Sequence, residues 1–474
     1  MAGVEKYKTR YTKYINFINK YRKSINAATG SEVDSNANVE NKNVTTCTGE
    51  LYKKEAIGAN RLLMINKITE LFGEELAEEY IRQLDSHEIY RHDETNPMLP
   101  YCVSITMYPF LFNGLTNIGG ISEAPKNLDS FCGSFVNLVF AVASQFAGAV
   151  ATPEFLMYLD YFIRKEFGND YYKRTEETVG VRTIEKTIEA KFQQVVYSLN
   201  QPAAARNFQS VFWNIAYFDD QYFHGMFENF VFPDGTEPVW ESVSWLQKKF
   251  MKWFNAERLK KILTFPVETV NLLNDGTDFV DKEWAEFSAE MWAEGHSFFM
   301  YTSDSVDSLA SCCRLKNEVT ENTFSYTLGA GGVSTGSKGV ITININRLVQ
   351  NCAKTHNYDI NDEMISDAVR EQVIKIHKYL TAYNEIVKDN FNSRMLPVYD
   401  AGYISLEKQY LTIGINGFVE GAEFLGIDPS INEDYFKYGE AILKPIYEQN
   451  KKDRTKELMF NTEFVPKVCG YKVV

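Results

Sequence analysis

An α/β fold with much parallel strand pairing is what this sequence predicts. Short apolar, strand-like runs are spaced by longer helical patterns, which is how parallel sheets with crossover helices are written. At 474 residues the chain has room for two or three domains or for one large α/β unit. No repeat, low-complexity segment or convincing linker breaks it between residues 95 and 460.

The elements follow in order. Tyr7, Tyr11, Tyr14, Ile18, Tyr21 and Ile25 recur at helical spacing, so the N-terminus reads as an amphipathic helix docking on the body. The same stretch is studded with Lys, Arg and Asn, so it has no signal-peptide core; a mitochondrial presequence is the lesser reading. Residues 27–50 form a polar, Asn-rich connection, and helical patterns occupy 52–91. A strand-like run, 101–108, comes after Pro97. From 127 to 165 the pattern is helical and apolar, and its small residues Ala141, Ala143, Ala147, Gly148 and Ala149 allow close helix packing, internal or between subunits. Further strands are expected at 262–267, 340–345 and 411–415, and further helices at 182–198, 240–260, 281–294 and 360–390.

A net charge of -14 argues against broad nucleic-acid or membrane-surface binding but leaves a small anionic substrate open. No run approaches the ~18 apolar residues of a membrane span. Seven cysteines (Cys47, Cys102, Cys132, Cys312, Cys313, Cys352 and Cys469) are scattered without any C-x-x-C pair. Zinc-ribbon chemistry is therefore not expected, a reducing cytoplasm is, and a special cysteine would be catalytic rather than structural.

Three stretches could carry chemistry. Ser311-Cys312-Cys313-Arg314 holds adjacent thiols that cannot easily bridge each other, because consecutive Cα atoms lie about 3.8 Å apart. In extended backbone one thiol faces a site and the other faces away; packing as two small hydrophobes is the bland alternative. Cys102 ends a Pro-Tyr-Cys segment at the start of a strand. The glycine-rich run 329–339 ends in Ser337-Lys338-Gly339 and could cradle an anion, or simply turn; it does not meet the phosphate-loop pattern. The six histidines make no metal constellation, and His92-Asp93 is either a catalytic pair or a helix-ending turn.

Taken together, ordered segments along nearly the whole chain resemble the catalytic subunit of anaerobic, class III ribonucleotide reductases, a glycyl-radical family. They are residues 34–39, 87–93 and Pro100-Tyr101-Cys102-Val103-Ser104-Ile105; then Leu199-Asn200-Gln201-Pro202 with Arg206, Gln209-Ser210 and Asn214; then 263–267 and Asp307-Ser308-Leu309-Ala310-Ser311-Cys312-Cys313-Arg314-Leu315; and finally 335–347, 412–417 and 461–466. The resemblance implies a ten-stranded α/β barrel over residues 96–466, with a finger loop through its centre and a helical region, 1–95, packed on it. It implies that Cys313 carries a thiyl radical, with Cys312 as its outward neighbour, and that Cys102 is the partner thiol on the opposite face of the substrate. The thiyl removes the ribose 3′ hydrogen, and the partner thiol supplies reducing equivalents as the 2′ hydroxyl leaves as water. Gln209, Ser210 and Asn344 are the implied substrate-binding residues.

The resemblance further implies ribonucleoside triphosphate substrates, dNTP or ATP effectors, and a homodimer whose dimer and effector face is built by the helices around 127–165. It implies a glycyl radical generated by an S-adenosylmethionine/iron-sulfur activase, formate or a redoxin as reductant, and a cytoplasmic enzyme, bacterial or phage-encoded in a host. An overall-activity ATP domain ahead of the barrel is not expected.

The pattern breaks near residue 466. The family continues into a zinc site of two C-x-x-C pairs and a radical loop of the form R-V-x-G-Y, whereas residues 467–474 form a divergent tail without that zinc site. Val468-Cys469-Gly470-Tyr471 resembles the radical motif, which makes Gly470 the candidate radical residue, yet it lies within about 14 Å of Pro466 even when fully extended. The expectation is a split or truncated enzyme whose remaining part comes from a separate C-terminal polypeptide. Two other readings stay open: an acyltransferase of the pyruvate formate-lyase kind, and a nucleotide-binding remnant without turnover.

Overall fold

The computed structural model describes residues 2–23, 43–96, 99–202, 209–306, 308–311, 315–318 and 333–464. Its strands, in chain order, are β1 (Ile89–Arg91), β2 (Cys102–Ser104), β3 (Val150–Ala151), a small hairpin β4 (Thr178–Val179) and β5 (Arg182–Thr183), β6 (Trp213–Phe218), β7 (Val267–Leu273) and β8 (Phe299–Ser303). A second hairpin, β9 (Ser308–Ser311) and β10 (Leu315–Glu318), precedes β11 (Thr335–Asn344), β12 (Gln409–Asn416) and β13 (Phe460–Phe464).

Nine of these strands form one sheet in the order β13-β12-β11-β2-β3-β6-β7-β8, with β1 also paired to β11. Two parallel sets meet at an antiparallel seam, and the short β1 pairs antiparallel with β11 as well. β2, β3, β6, β7 and β8 run parallel to one another, as do β11, β12 and β13, and β2 pairs antiparallel with β11. The β9–β10 hairpin touches β7 on one side and β11 and β13 on the other, so the sheet curls around it. This is the α/β barrel type the sequence predicts, with a hairpin where the finger loop is expected.

Period-two alternation gives the sheet two different faces. Ile341, Ile343, Leu411, Ile413 and Ile415 are buried on the outer face, under the helix Asp362–Asn392. Trp213 points outward in the other set, its ring 5.3 Å from Phe155 and 5.7 Å from Phe135 on two covering helices. The inner face is polar: Ser337 Oγ meets Thr412 Oγ1 at 2.8 Å, and Thr412 Oγ1 donates to Asn461 Oδ1 at 2.8 Å. All three belong to neighbouring strands, so the inner face carries its own hydrogen-bond chain.

The long helices lie where periodicity puts them: Ile184–Leu199, Trp240–Arg258, Lys282–Ala293 and Asp362–Asn392. The N-terminal helix Ala2–Lys23 docks on Val44–Phe72 through buried Tyr21, whose hydroxyl donates to Thr46 Oγ1 at 2.8 Å, while Tyr7 and Tyr11 stay exposed.

Three expectations are corrected. The run 262–267 is not a strand; pairing begins at Val267. Asn200 Oδ1 accepts from the backbone N–H groups of both Thr264 and Phe265 at 3.1 Å, and Pro266 has no N–H, so residues 264–266 have no donors left for a ladder. The strand at 101–108 stops at Ser104, and the helix Tyr108–Asn113 starts with Pro109 in its first turn. The apolar stretch 127–165 is not one helical unit. It divides into Leu128–Ala143, strand β3 and Phe155–Phe167, with the small residues 147–149 in the connection to β3.

Ile413 is wholly buried on the outer face. Ile413→Ala should cost about 2–5 kcal/mol by the lost transfer energy and the cavity left behind, read as a lower urea midpoint with an unchanged slope.

Candidate active site

Cys102 opens β2 and is buried. Its register partner across the seam is Ser337, whose hydroxyl belongs to the inner polar chain, so Cys102 shares the inner face. Its Sγ accepts the backbone N–H of Ala149 at 3.3 Å. Tyr101 and Phe212 pack beside it.

Two glycines make this placement possible. A Cβ on Gly148 would stand 2.7 Å from Cys102 Sγ and 3.0 Å from the Tyr101 carbonyl. Gly336 has φ +153°, and a Cβ there would stand 2.3 Å from the Cys102 carbonyl oxygen. That carbonyl instead accepts Gln409 Nε2 at 3.0 Å, and Gln409 Oε1 in turn accepts the Tyr399 hydroxyl at 2.5 Å. The cysteine backbone is therefore fixed from β11, from β12 and from the connection before β3.

The next inner-face row comprises Thr335, Ser104, Ala151 and Asn214, which are register partners across four strands. Ser104 Oγ donates to the Val333 carbonyl at 2.7 Å. Thr335 Oγ1 and Asn214 Nδ2 are buried and have no hydrogen-bond partner among the described residues. Unsatisfied buried polar groups cost roughly 1–3 kcal/mol each, and one row from a thiol they suit a polar ligand.

His92 is also on the inner face. Its Nε2 lies 2.8 Å from Thr342 Oγ1, and its ring packs edge-on to Tyr101 at 5.7 Å. Burial pushes its pKa down to about 4, so the imidazole is neutral near pH 7.

The other predicted site residues are placed as follows. Ser210 is buried and gives its hydroxyl to the Asn200 carbonyl at 3.0 Å, bracing the segment before β7. Gln209 adjoins it, half-buried. Asn344 is not gathered with Cys102. It caps the helix Ile345–Thr355 by accepting the Arg347 N–H at 3.0 Å, and it stands seven residues along β11 from Ser337, roughly 20 Å away. Lys338, the cation of the glycine-rich run, points to the Glu457 carbonyl at 3.2 Å, and burial lowers its pKa to about 8. Cys312, Cys313, Gly470 and residues 329–332 lie outside the described residues; Cys312 and Cys313 fall in sequence between the paired strands β9 and β10. Among the described residues no group of three or more His, Cys, Asp or Glu is arranged to hold a metal ion. Gly148, Thr335 and Gln409 were not singled out as site residues from sequence.

Residues 51–467 match the family model of the anaerobic ribonucleoside-triphosphate reductases. The chain belongs to that family. A solved structure of the anaerobic ribonucleotide reductase from Thermotoga maritima with citrate in the active site is 30% identical, with a TM-score of 0.77 over 90% of this chain and 75% of its own. Another, described as an anaerobic ribonucleotide reductase, is 28% identical, with a TM-score of 0.78 over 95% of this chain and 69% of its own. The Thermotoga maritima enzyme in complex with dATP and CTP is 30% identical, with a TM-score of 0.76 over 89% and 69%. No curated protein sequence matches. Ribonucleotide reduction is accordingly the reaction class of this chain.

Two outcomes follow from the geometry. Gly148→Ala should push the Cys102 thiol aside and lower turnover by about a hundredfold, the usual penalty for displacing a reacting atom by an ångström, with the urea midpoint showing that the fold persists. For His92, the folded pKa near 4 lies below the ordinary 6.5. Its stabilisation is then complete above pH 6.5 and drains away as the pH falls towards 4, because the unfolded chain takes up a proton the folded one refuses. His92→Gln should flatten the fall in urea midpoint across that window.

Proposed function

We propose that this barrel reduces ribonucleoside triphosphates anaerobically by thiyl-radical chemistry, with Cys102 as the reducing thiol and Cys313 as the thiyl position. The observation that carries the reading is the placement of Cys102: a buried inner-face thiol beside two buried polar groups, Asn214 and Thr335, that lack partners among the described residues. A ribose brings hydroxyls that would satisfy both. The complex of the Thermotoga maritima relative with dATP and CTP supports nucleotides as substrate and effector here as well.

The glycyl radical supplies the initiating one-electron oxidation when its loop is in place. The residues of this chain do the rest. The strand seam holds Cys102 against one face of the sugar, and the curled sheet with its covering helices keeps water from the intermediate. As the 2′ hydroxyl takes a proton and leaves as water, Cys102 gives up hydrogen, and formate or a redoxin restores the two electrons consumed. We assign Gln209 to the substrate-facing side and Ser210 to bracing it. A radical-SAM activase and a homodimer with its effector face around 127–165 complete the proposed assembly.

The test is an anaerobic assay of deoxynucleotide formation after incubation with activase and S-adenosylmethionine. Cys102→Ser and Cys313→Ser should each abolish product while leaving the fold intact. Retained product in either variant overturns the assignment. A glycyl-radical EPR signal that disappears in Gly470→Ala would place the radical at that residue, and one that persists would place it elsewhere.

A further inference from the structure

Strand β11 changes phase part-way along its length. Thr335 and Ser337 are the register partners of Ser104 and Cys102 across the seam, whereas Ile341 and Ile343 are buried on the outer face. All four positions are odd, so in a regular strand they would share one face. The register with β12 shows where the phase shifts: Ser337 pairs with Tyr410 and Gly339 with Leu411, which leaves Lys338 as an extra residue. Lys338 is thus the added residue of a β-bulge, the device that re-aims the side chains beyond it. Without it, either the polar inner row or the isoleucine layer would turn to the wrong face.

Lys338 and Gly339 both turn to the outer side here. A Cβ on Gly339 would stand 2.7 Å from the Tyr383 ring of the covering helix. Lys338 Nζ donates to the Glu457 carbonyl at 3.2 Å, ahead of β13. The lysine is 2% exposed, and that carbonyl is its one side-chain hydrogen-bond acceptor among the described residues. The carboxylates of Glu385, Glu407 and Glu457 and the ammonium of Lys388 act on it only through space. Burying an ammonium on one neutral acceptor costs free energy that a methionine of similar length would not. Its use lies in what the bulge holds.

The bulge holds the approach to Cys102. The Lys338 carbonyl accepts the Tyr101 N–H at 3.0 Å, one residue before the thiol. Tyr383, against which Gly339 packs, gives its hydroxyl to the Leu99 carbonyl in the same segment. Ser337, immediately before the bulge, is the register partner of Cys102 itself. The Lys338 side chain therefore secures, from outside the sheet, the backbone that carries Tyr101 and Cys102.

We propose that Lys338 is a positioning residue for the Cys102 thiol, its ammonium latching the β11 bulge to the Glu457 carbonyl. This takes the cation of the glycine-rich run out of anion binding: its charge serves the backbone, on the face opposite Cys102. The proposal rests on the reductase reading only for its effect on turnover. Thiol reactivity reads position whether or not Cys102 is the reducing thiol.

Lys338→Met keeps the length of the side chain and removes its charge and donors. In the full-length protein, Cys102 of this variant should react with iodoacetamide, read by peptide mapping, at least about threefold faster than in the wild type, because its strand is held less firmly. In the anaerobic assay kcat should fall about tenfold with KM unchanged. The urea midpoint should stay at or above the wild-type value, since a buried charge has gone. Lys388→Met removes a cation from the same cluster without touching the bulge, and should leave Cys102 at its wild-type rate. Lys338→Arg restores charge and donors, and should return the Cys102 rate to within about twofold of wild type. An unchanged Cys102 rate in Lys338→Met overturns the proposal. A lowered midpoint does so too, making Lys338 a structural cation, as does equal acceleration in Lys388→Met or acceleration that Lys338→Arg fails to reverse.

Discussion

The antiparallel seam between β2 and β11 is the constraint on which the rest of this structure depends. Apart from the short strand β1, which also pairs antiparallel with β11, the rest of the sheet is built of parallel pairs, where each connection crosses over on the outside. At the seam two parallel sets face each other with opposite polarity, and the join is only three residues long on the β2 side. Close approach is bought with missing side chains: Gly336 sits where a Cβ would meet the Cys102 carbonyl, and Gly148 where one would meet its sulfur. Gln409, reaching over from β12, then satisfies the Cys102 carbonyl at 3.0 Å. The thiol is held by backbone from several strands at once, which is stiffer than any loop could make it.

Polarity on the inner face divides into two kinds. The chain Ser337, Thr412 and Asn461 is internally satisfied and rigid, a ladder of side-chain bonds that costs little to bury. Thr335 Oγ1 and Asn214 Nδ2 are buried and without a partner among the described residues. Folding alone gives no reason to keep such groups, since an apolar residue of the same size would be cheaper. Their occurrence on the row next to Cys102 is what makes that part of the inner face suited to a polar ligand.

Much of the fold was legible because its signals are local. The helices Trp240–Arg258 and Asp362–Asn392 carry a 3.6-residue apolar stripe, and β11 and β12 alternate isoleucine and leucine with threonine, glycine and asparagine. β13, Phe-Asn-Thr-Glu-Phe, shows no such signal, because its polar residues are satisfied by Thr412 and Asn450 on neighbouring elements. The run 262–267 misled for the same reason: its donors go to Asn200, more than sixty residues earlier in the chain. At the site, Cys102 was legible through family resemblance. Gly148 and Gln409 act on it through contacts 46 and 307 positions apart in sequence, which no spacing rule detects. Asn344 shares the motif stretch of β11 but lies at its far end, where capping the next helix accounts for it.

The sheet also dictates on which side its inner face is open. Five strands on one side of the seam face three on the other, and among the described residues the end strands β8 and β13 do not pair with each other. The seam is closed by backbone hydrogen bonds and by glycines with no room to part. The β9–β10 hairpin lies against β7, β11 and β13, so it spans from one set to the other across the open side. Among the described residues the open side of the inner face thus lies past the edge of β13, not at the seam. Phe464 stands at this edge with its ring on the outer face, against Phe418, so β13 ends with its apolar side turned away from the inner face that holds Cys102.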